Sequence, residues 1–239
     1  MNYHRYNSKL KNEKKLKSHI GSLKKIQIIY NKLHRAYGNQ NWWPSETTYE
    51  MMIGAILTQN TSWTNVEKAI SNFQGDLSPE RILNIENENL SAIIRPSGFH
   101  NQKAQKLKNL TNWYKKYNFN IKDAQNKDGE LLRSELLDIK GIGKETADCI
   151  LTYALEKPYF VVDTYTRRLF TRIGIEVPKD YDRFRLLIED WIEKDLYLYN
   201  EYHALIVEHG KRHCKKKAVC EGCPLIKLCE FGKLKEVSH

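Results

Sequence analysis

From residue 22 to residue 209, apolar side chains return at the three- and four-residue spacing of a helix face, and alternating strand patterns are almost absent. Helices with one apolar stripe must bury it against other helices, so the expected fold class is all-α. The first helix opens at Ser22, an N-cap residue type, runs through Leu23, Ile26, Ile29, Tyr30, Leu33 and Tyr37, and stops at Gly38. Further helices are expected over 48–57, 64–73, a short segment from Pro79 after Ser78, 89–94, 102–117, 129–137, 144–155, 164–173, 181–196 and 199–209. The apolar stretch 159–162 is too isolated to build a sheet.

With 239 residues, 41% of them hydrophobic, the chain can bury one large core or two small ones, which excludes an extended disordered protein. No run approaches the roughly 18 apolar residues of a membrane span, so no membrane partner is expected. The first 25 residues hold eight Lys or Arg and one Glu but no apolar core of the secretory kind, so the protein is read as cytoplasmic. Residues 1–20 read as a basic arm without helical periodicity. The net charge of +10 suits a polyanionic partner, because each cation that neutralises a phosphate releases counterions; a lysine-rich solvated surface explains the charge equally well.

Four of the five cysteines fall within sixteen residues as Cys214-x5-Cys220-x2-Cys223-x5-Cys229. In a reducing compartment, four thiolates at such spacing converge around zinc or an iron–sulfur cluster rather than in disulfides. Cys149 stands apart and reads as a small buried residue.

Two expected helices are joined by Ile139-Lys140-Gly141-Ile142-Gly143-Lys144-Glu145. Gly141 and Gly143 permit a tight hairpin whose backbone N–H groups, at the start of the helix that Lys144 opens, can hold a DNA phosphate without reading sequence. An ordinary helix stop followed by a new helix has the same pattern. Twenty residues past Gly143 comes Asp163, directly before a helix in Val161-Val162-Asp163-Thr164. An N-cap aspartate meets backbone N–H groups and the positive end of the helix dipole, which keeps it ionised. An ionised carboxylate can take a proton from water and balance developing positive charge.

The glycine hairpin, the aspartate in a Val-Asp-Thr setting and the cysteine cluster together resemble the helix-hairpin-helix DNA glycosylase superfamily, and within it relatives of endonuclease III, over most of the chain from about Trp42 to Glu230. The resemblance implies double-stranded DNA as the partner, a monomer, Asp163 as the catalytic carboxylate and a 4Fe-4S cluster on the four cysteines, with structural zinc as the alternative. The family pattern has six residues in the first cysteine gap, where this chain has five. Bifunctional relatives carry a Schiff-base lysine two positions after the second hairpin glycine; Glu145 stands there, which implies a glycosylase without lyase activity. Lys144 is turned about 100° away around the helix.

Trp42-Trp43-Pro44, the segment Thr58-Gln59-Asn60-Thr61 followed by Trp63, Arg95-Pro96-Ser97-Gly98-Phe99 and the hairpin Gly141-Ile142-Gly143-Lys144-Glu145 together resemble the 3-methyladenine DNA glycosylase branch. There, aromatics at the positions of Trp42 and Trp63 sandwich a flipped base, and Trp43 is either a pocket or a core ring. Gln59 and Phe99 stand where relatives push side chains into the gap left by the flipped nucleotide. The expected architecture is two helical lobes flanking a DNA-binding cleft: residues 40–157 as a central bundle, and residues 21–39 with 158–239 as the second lobe. Excision of alkylated purines is the expected function. The alternatives are an endonuclease III-like enzyme for oxidised pyrimidines and a non-catalytic helix-hairpin-helix DNA-binding protein.

Overall fold

The computed structural model describes residues 24–236, and the expected N-cap Ser22 and basic arm lie outside the described residues. Within them the chain is helical, with no strand. The described residues divide into two compact units, residues 41–161 and residues 24–40 with 162–236.

The first unit is built around α2 (Thr48–Leu57). Thr47 caps it by accepting from Glu50 N, and all but two of its residues are buried, because Met51, Met52, Ile53, Ile56 and Leu57 leave no polar face. Such a helix can only be central. α3 (Trp63–Ser71), α6 (His100–Lys115) and α9 (Lys144–Tyr153) pack against it. α4 (Pro79–Asn84) and α5 (Asn87–Ile93) lie on α6, α7 (Ile121–Gln125) follows it in the chain, and α8 (Gly129–Asp138) pairs with α9. Fully burying each large apolar side chain of this core contributes about 1.5–3 kcal/mol. α8 and α9 are also joined by a buried ion pair, in which Arg133 Nε donates to Asp148 Oδ1 at 2.6 Å.

The second unit contains α1 (residues 24–37), α10 (Thr164–Ile173), α11 (Tyr181–Glu189), α12 (Leu196–Arg212) and α13 (Glu230–Glu236). Ile26, Ile29 and Leu33 of α1 are wholly buried, and Tyr202 of α12 donates to the carbonyl of Ile26 at 2.9 Å. α10 packs on α12 and α13. It ends at Gly174, which takes the left-handed φ of 88° that suits glycine.

The helix expected over 181–196 ends early, and the one expected over 199–209 begins at Leu196. α11 stops at Glu189, and Asp195 starts α12 by accepting from Leu198 N at 2.7 Å. Trp191 stays buried and continues the apolar spacing across the break, which hides it in sequence. The short helices α7 and α13 were not expected, being too brief to show a period.

Candidate active site

The α8–α9 connection is a tight hairpin. Gly141 adopts φ +101°, and a Cβ there would stand 2.5 Å from Lys106 Cγ, so both conformation and space call for glycine. Gly143 is extended at φ −97° and has open space around it. As N-cap of α9 it gives no side-chain cap to the first helical turn, which suits backbone donation to an anion. Lys144 opens α9, and Glu145 follows as an exposed first-turn acid.

Gln59, at the C-terminal end of α2, reaches this hairpin. Its Nε2 donates to Thr146 Oγ1 at 3.0 Å and Gly141 O at 3.4 Å, while its Oε1 accepts from Lys106 Nζ at 2.6 Å. Phe99, the N-cap of α6, is 63% exposed and has a left-handed φ of 48°.

The tryptophans form one cluster. Ring centroids of Trp42 and Trp43 are 5.5 Å apart, Trp43 and Trp63 5.3 Å, and Trp42 and Trp63 6.3 Å with a 48° tilt. A base between two parallel rings needs about 7 Å, so one indole must turn before Trp42 and Trp63 can sandwich one. Tyr153 of α9, which sequence reading missed, is a fourth ring, 5.5 Å from Trp43. Trp63 Nε1 donates to Glu67 Oε1 at 2.7 Å. Beside it lies a groove of about 340 Å³ whose lining includes Pro44, Glu46, Glu50, Trp63 and Glu67.

Asp163 caps α10: its Oδ1 accepts from Thr166 N at 2.8 Å and Thr166 Oγ1 at 2.9 Å. Its Oδ2 lies 3.7 Å from Nε2 of His203, a buried residue of α12 that the sequence did not announce. Burial by itself would raise the carboxyl pKa, but His203 and the two Thr166 donors outweigh it and hold the group below the usual aspartate value. Asp163 is therefore ionised at neutral pH.

The four clustered cysteines line one pocket with Arg172, His209 and Leu225. Arg172 Nη1 lies 3.2 Å from Cys214 Sγ, and Gly232 N donates to Cys229 Sγ at 3.4 Å. Burial, followed by the neighbouring cysteines, pushes the Cys223 thiol up to about 11. His209 accepts or donates at Nδ1 to Tyr37 Oη, 2.9 Å away, and burial followed by His213 pushes it down to about 4. Arg168 Nε donates to Cys214 O, and Arg172 donates to the carbonyls of Lys215 and Lys216. Among the described residues, no three His, Cys, Asp or Glu side chains stand at metal-holding geometry.

The helical chain thus carries a glycine hairpin and an aromatic cluster in one unit and a capped, ionised aspartate in the other. Residues 53–194 match the family described as HhH-GPD superfamily base excision DNA repair protein. Over 209 residues the chain is 50% identical to MJ1434 of Methanocaldococcus jannaschii, a DNA repair glycosylase by name, covering 85% of this chain and 95% of that one. It is 28% identical over 186 residues to endonuclease III of Thermotoga maritima, covering 77% and 83% of the two chains. The crystal structure of the H. pylori 3-methyladenine DNA glycosylase MagIII bound to 1,N6-ethenoadenine is similar at 32% identity and a TM-score of 0.68, over 81% of this chain and 97% of that one. The chain belongs to the HhH-GPD superfamily and is a DNA glycosylase of that family. No helix among the described residues is long and apolar enough to cross a membrane.

Proposed function

We propose that this protein is a monofunctional, monomeric DNA glycosylase that removes alkylated purines, 3-methyladenine first, from double-stranded DNA. The observation that carries the reading is the cluster of Trp42, Trp43, Trp63 and Tyr153, edged by Glu67. An N3- or N7-alkylated purine is cationic, and indole faces attract cations by about 0.5–2 kcal/mol per ring. A carboxylate accepting from the indole N–H of Trp63 adds electron density to that ring and strengthens the attraction. The similar MagIII structure holds a modified adenine, which agrees with this substrate class.

In this reading the flipped base rests among the tryptophans while Gln59 and Phe99 fill the space it leaves, and the hairpin from Gly141 to Lys144 holds a phosphate. Asp163 takes a proton from water as the water oxygen bonds to C1′. The N-glycosidic bond breaks with its electron pair going to the base nitrogen, and an abasic deoxyribose remains. Glu145 has no amine, so no Schiff base forms at its position.

Cys214, Cys220, Cys223 and Cys229 would hold a 4Fe-4S cluster. Four thiols on one pocket, with N–H groups aimed at their sulfurs, are the donor set that such a cluster uses. Once bound, it would serve as a structural cross-link for the loop that carries Lys215, Lys216 and Lys217. The units 41–161 and 24–40 with 162–236 would act as the two lobes of the enzyme.

A panel of duplexes with single lesions tests the substrate class, with borohydride added in parallel. Release of 3-methyladenine without a trapped adduct is expected, with strand breaks only after alkali. Trp42→Ala and Trp63→Ala should each slow release by more than they weaken binding to undamaged duplex. Preference for thymine glycol, or efficient trapping, refutes the assignment.

A further inference from the structure

α6 turns two lysines inward. Lys103 is 1% exposed, and its Nζ donates to the carbonyl of Leu57 at 2.8 Å and that of Ser97 at 2.7 Å. Leu57 is the last residue of α2, so its carbonyl is one of those that a helix end leaves without an internal partner. α2 has no basic residue in its own last turn; the cation that meets its negative dipole end comes from α6. Ser97 closes the 3₁₀ turn Arg95–Ser97 and leads into Gly98 and Phe99, both at left-handed φ, 69° and 48°.

Gln59 stands two residues beyond the first carbonyl, and Phe99 two residues beyond the second. One amine thus joins the roots of two turns that are about forty residues apart in sequence. One helical turn on, Lys106 holds the Gln59 side chain itself. Moving the Lys103 amine would leave two buried carbonyls without a donor, which makes the junction stiff. Burial, aided by the nearby Lys106 charge, pushes the Lys103 pKa down to about 8, and the neutral amine still has two N–H groups for its two acceptors.

We propose that Lys103 is a positioning residue that ties the Gln59 turn and the Phe99 turn into one rigid wedge, so that both side chains enter a duplex together at a fixed separation. This rests on the reading of Gln59 and Phe99 as the residues that fill the opened stack.

The test is the affinity of the full chain for a duplex with one tetrahydrofuran abasic analogue against the same duplex undamaged. Lys103→Met should cut the preference for the abasic duplex about tenfold while leaving affinity for undamaged duplex within about twofold. In the parent, the losses from Gln59→Ala and Phe99→Ala should deviate from simple multiplication by about threefold or more, and in the Lys103→Met background they should multiply. A lowered melting temperature with unchanged abasic preference makes Lys103 merely structural and overturns the proposal. If Lys103→Met does not fold, the Gln59/Phe99 cycle in the parent decides alone, and multiplying losses there overturn it. Should neither Gln59→Ala nor Phe99→Ala alter the preference, the wedge reading itself is wrong and the proposal falls with it.

Discussion

Replacing Asp163 by Asn separates capping from chemistry. The amide keeps an oxygen that can accept from Thr166 N and Oγ1, now at 2.8 and 2.9 Å, and Asn caps about as well as Asp, so folding stability should change by less than about 1 kcal/mol. What disappears is the charge beside His203, 3.7 Å away, and with it the capacity to accept a proton. General-base catalysis contributes about 10²–10⁴-fold, so single-turnover base release should fall at least about 100-fold, or about 2.7 kcal/mol at 1.36 per decade. Asp163→Ala, which also removes the cap, should add a stability loss of about 1 kcal/mol. The lowered pKa sets the pH behaviour. Stability from the ionised carboxylate is fully present above the ordinary aspartate value of 3.8 and is lost as pH falls through the lower folded value. The assay is chromatographic release of 3-methyladenine at pH 7 with enzyme in excess, alongside duplex binding and thermal melting. Release within a few-fold of the parent by Asp163→Asn would show that the residue is only a cap.

Three further outcomes are expected. Protein purified without chelator should be brown with about four iron per chain, and Cys220→Ser should lower iron content, solubility and DNA affinity together; one zinc per chain without visible absorbance rules out the cluster. Gly141→Ala forces an L residue to φ +101° and presses on Lys106; it should cost about 1–2 kcal/mol in urea unfolding and weaken duplex binding, and a neutral result would refute the hairpin argument. The Lys103 pKa of about 8 lies below the ordinary 10.5, so between these values the unfolded chain holds the extra proton and stability rises with pH. The urea midpoint of the parent should therefore climb from pH 8 to pH 10 relative to Lys103→Met, and parallel curves would contradict the burial of that amine.

The helices were legible wherever an apolar stripe outlasted two turns, as in Thr48–Leu57 and Thr164–Ile173, whose observed bounds equal the expected ones. The break before Asp195 was not, because Trp191 keeps the apolar beat on both sides of it. Gln59, Phe99, the hairpin glycines and Asp163 stand out in the sequence as candidates because each lies in a short segment that resembles a family motif. Tyr153, His203 and Lys106 could not, since their roles depend on partners dozens of residues away. Lys103 left one local trace: a lysine beside Ala104 and four residues before Leu107, on the buried stripe of α6.

Arg168 and Arg172 grip residues 214–216 through backbone carbonyls. A grip of this kind is blind to side-chain identity, so the path of this stretch does not depend on which residues occupy positions 215 and 216. Shape and charge are thereby uncoupled. Lysines can be added or removed at these positions, and the charge of the loop adjusted, without refolding the backbone that presents them.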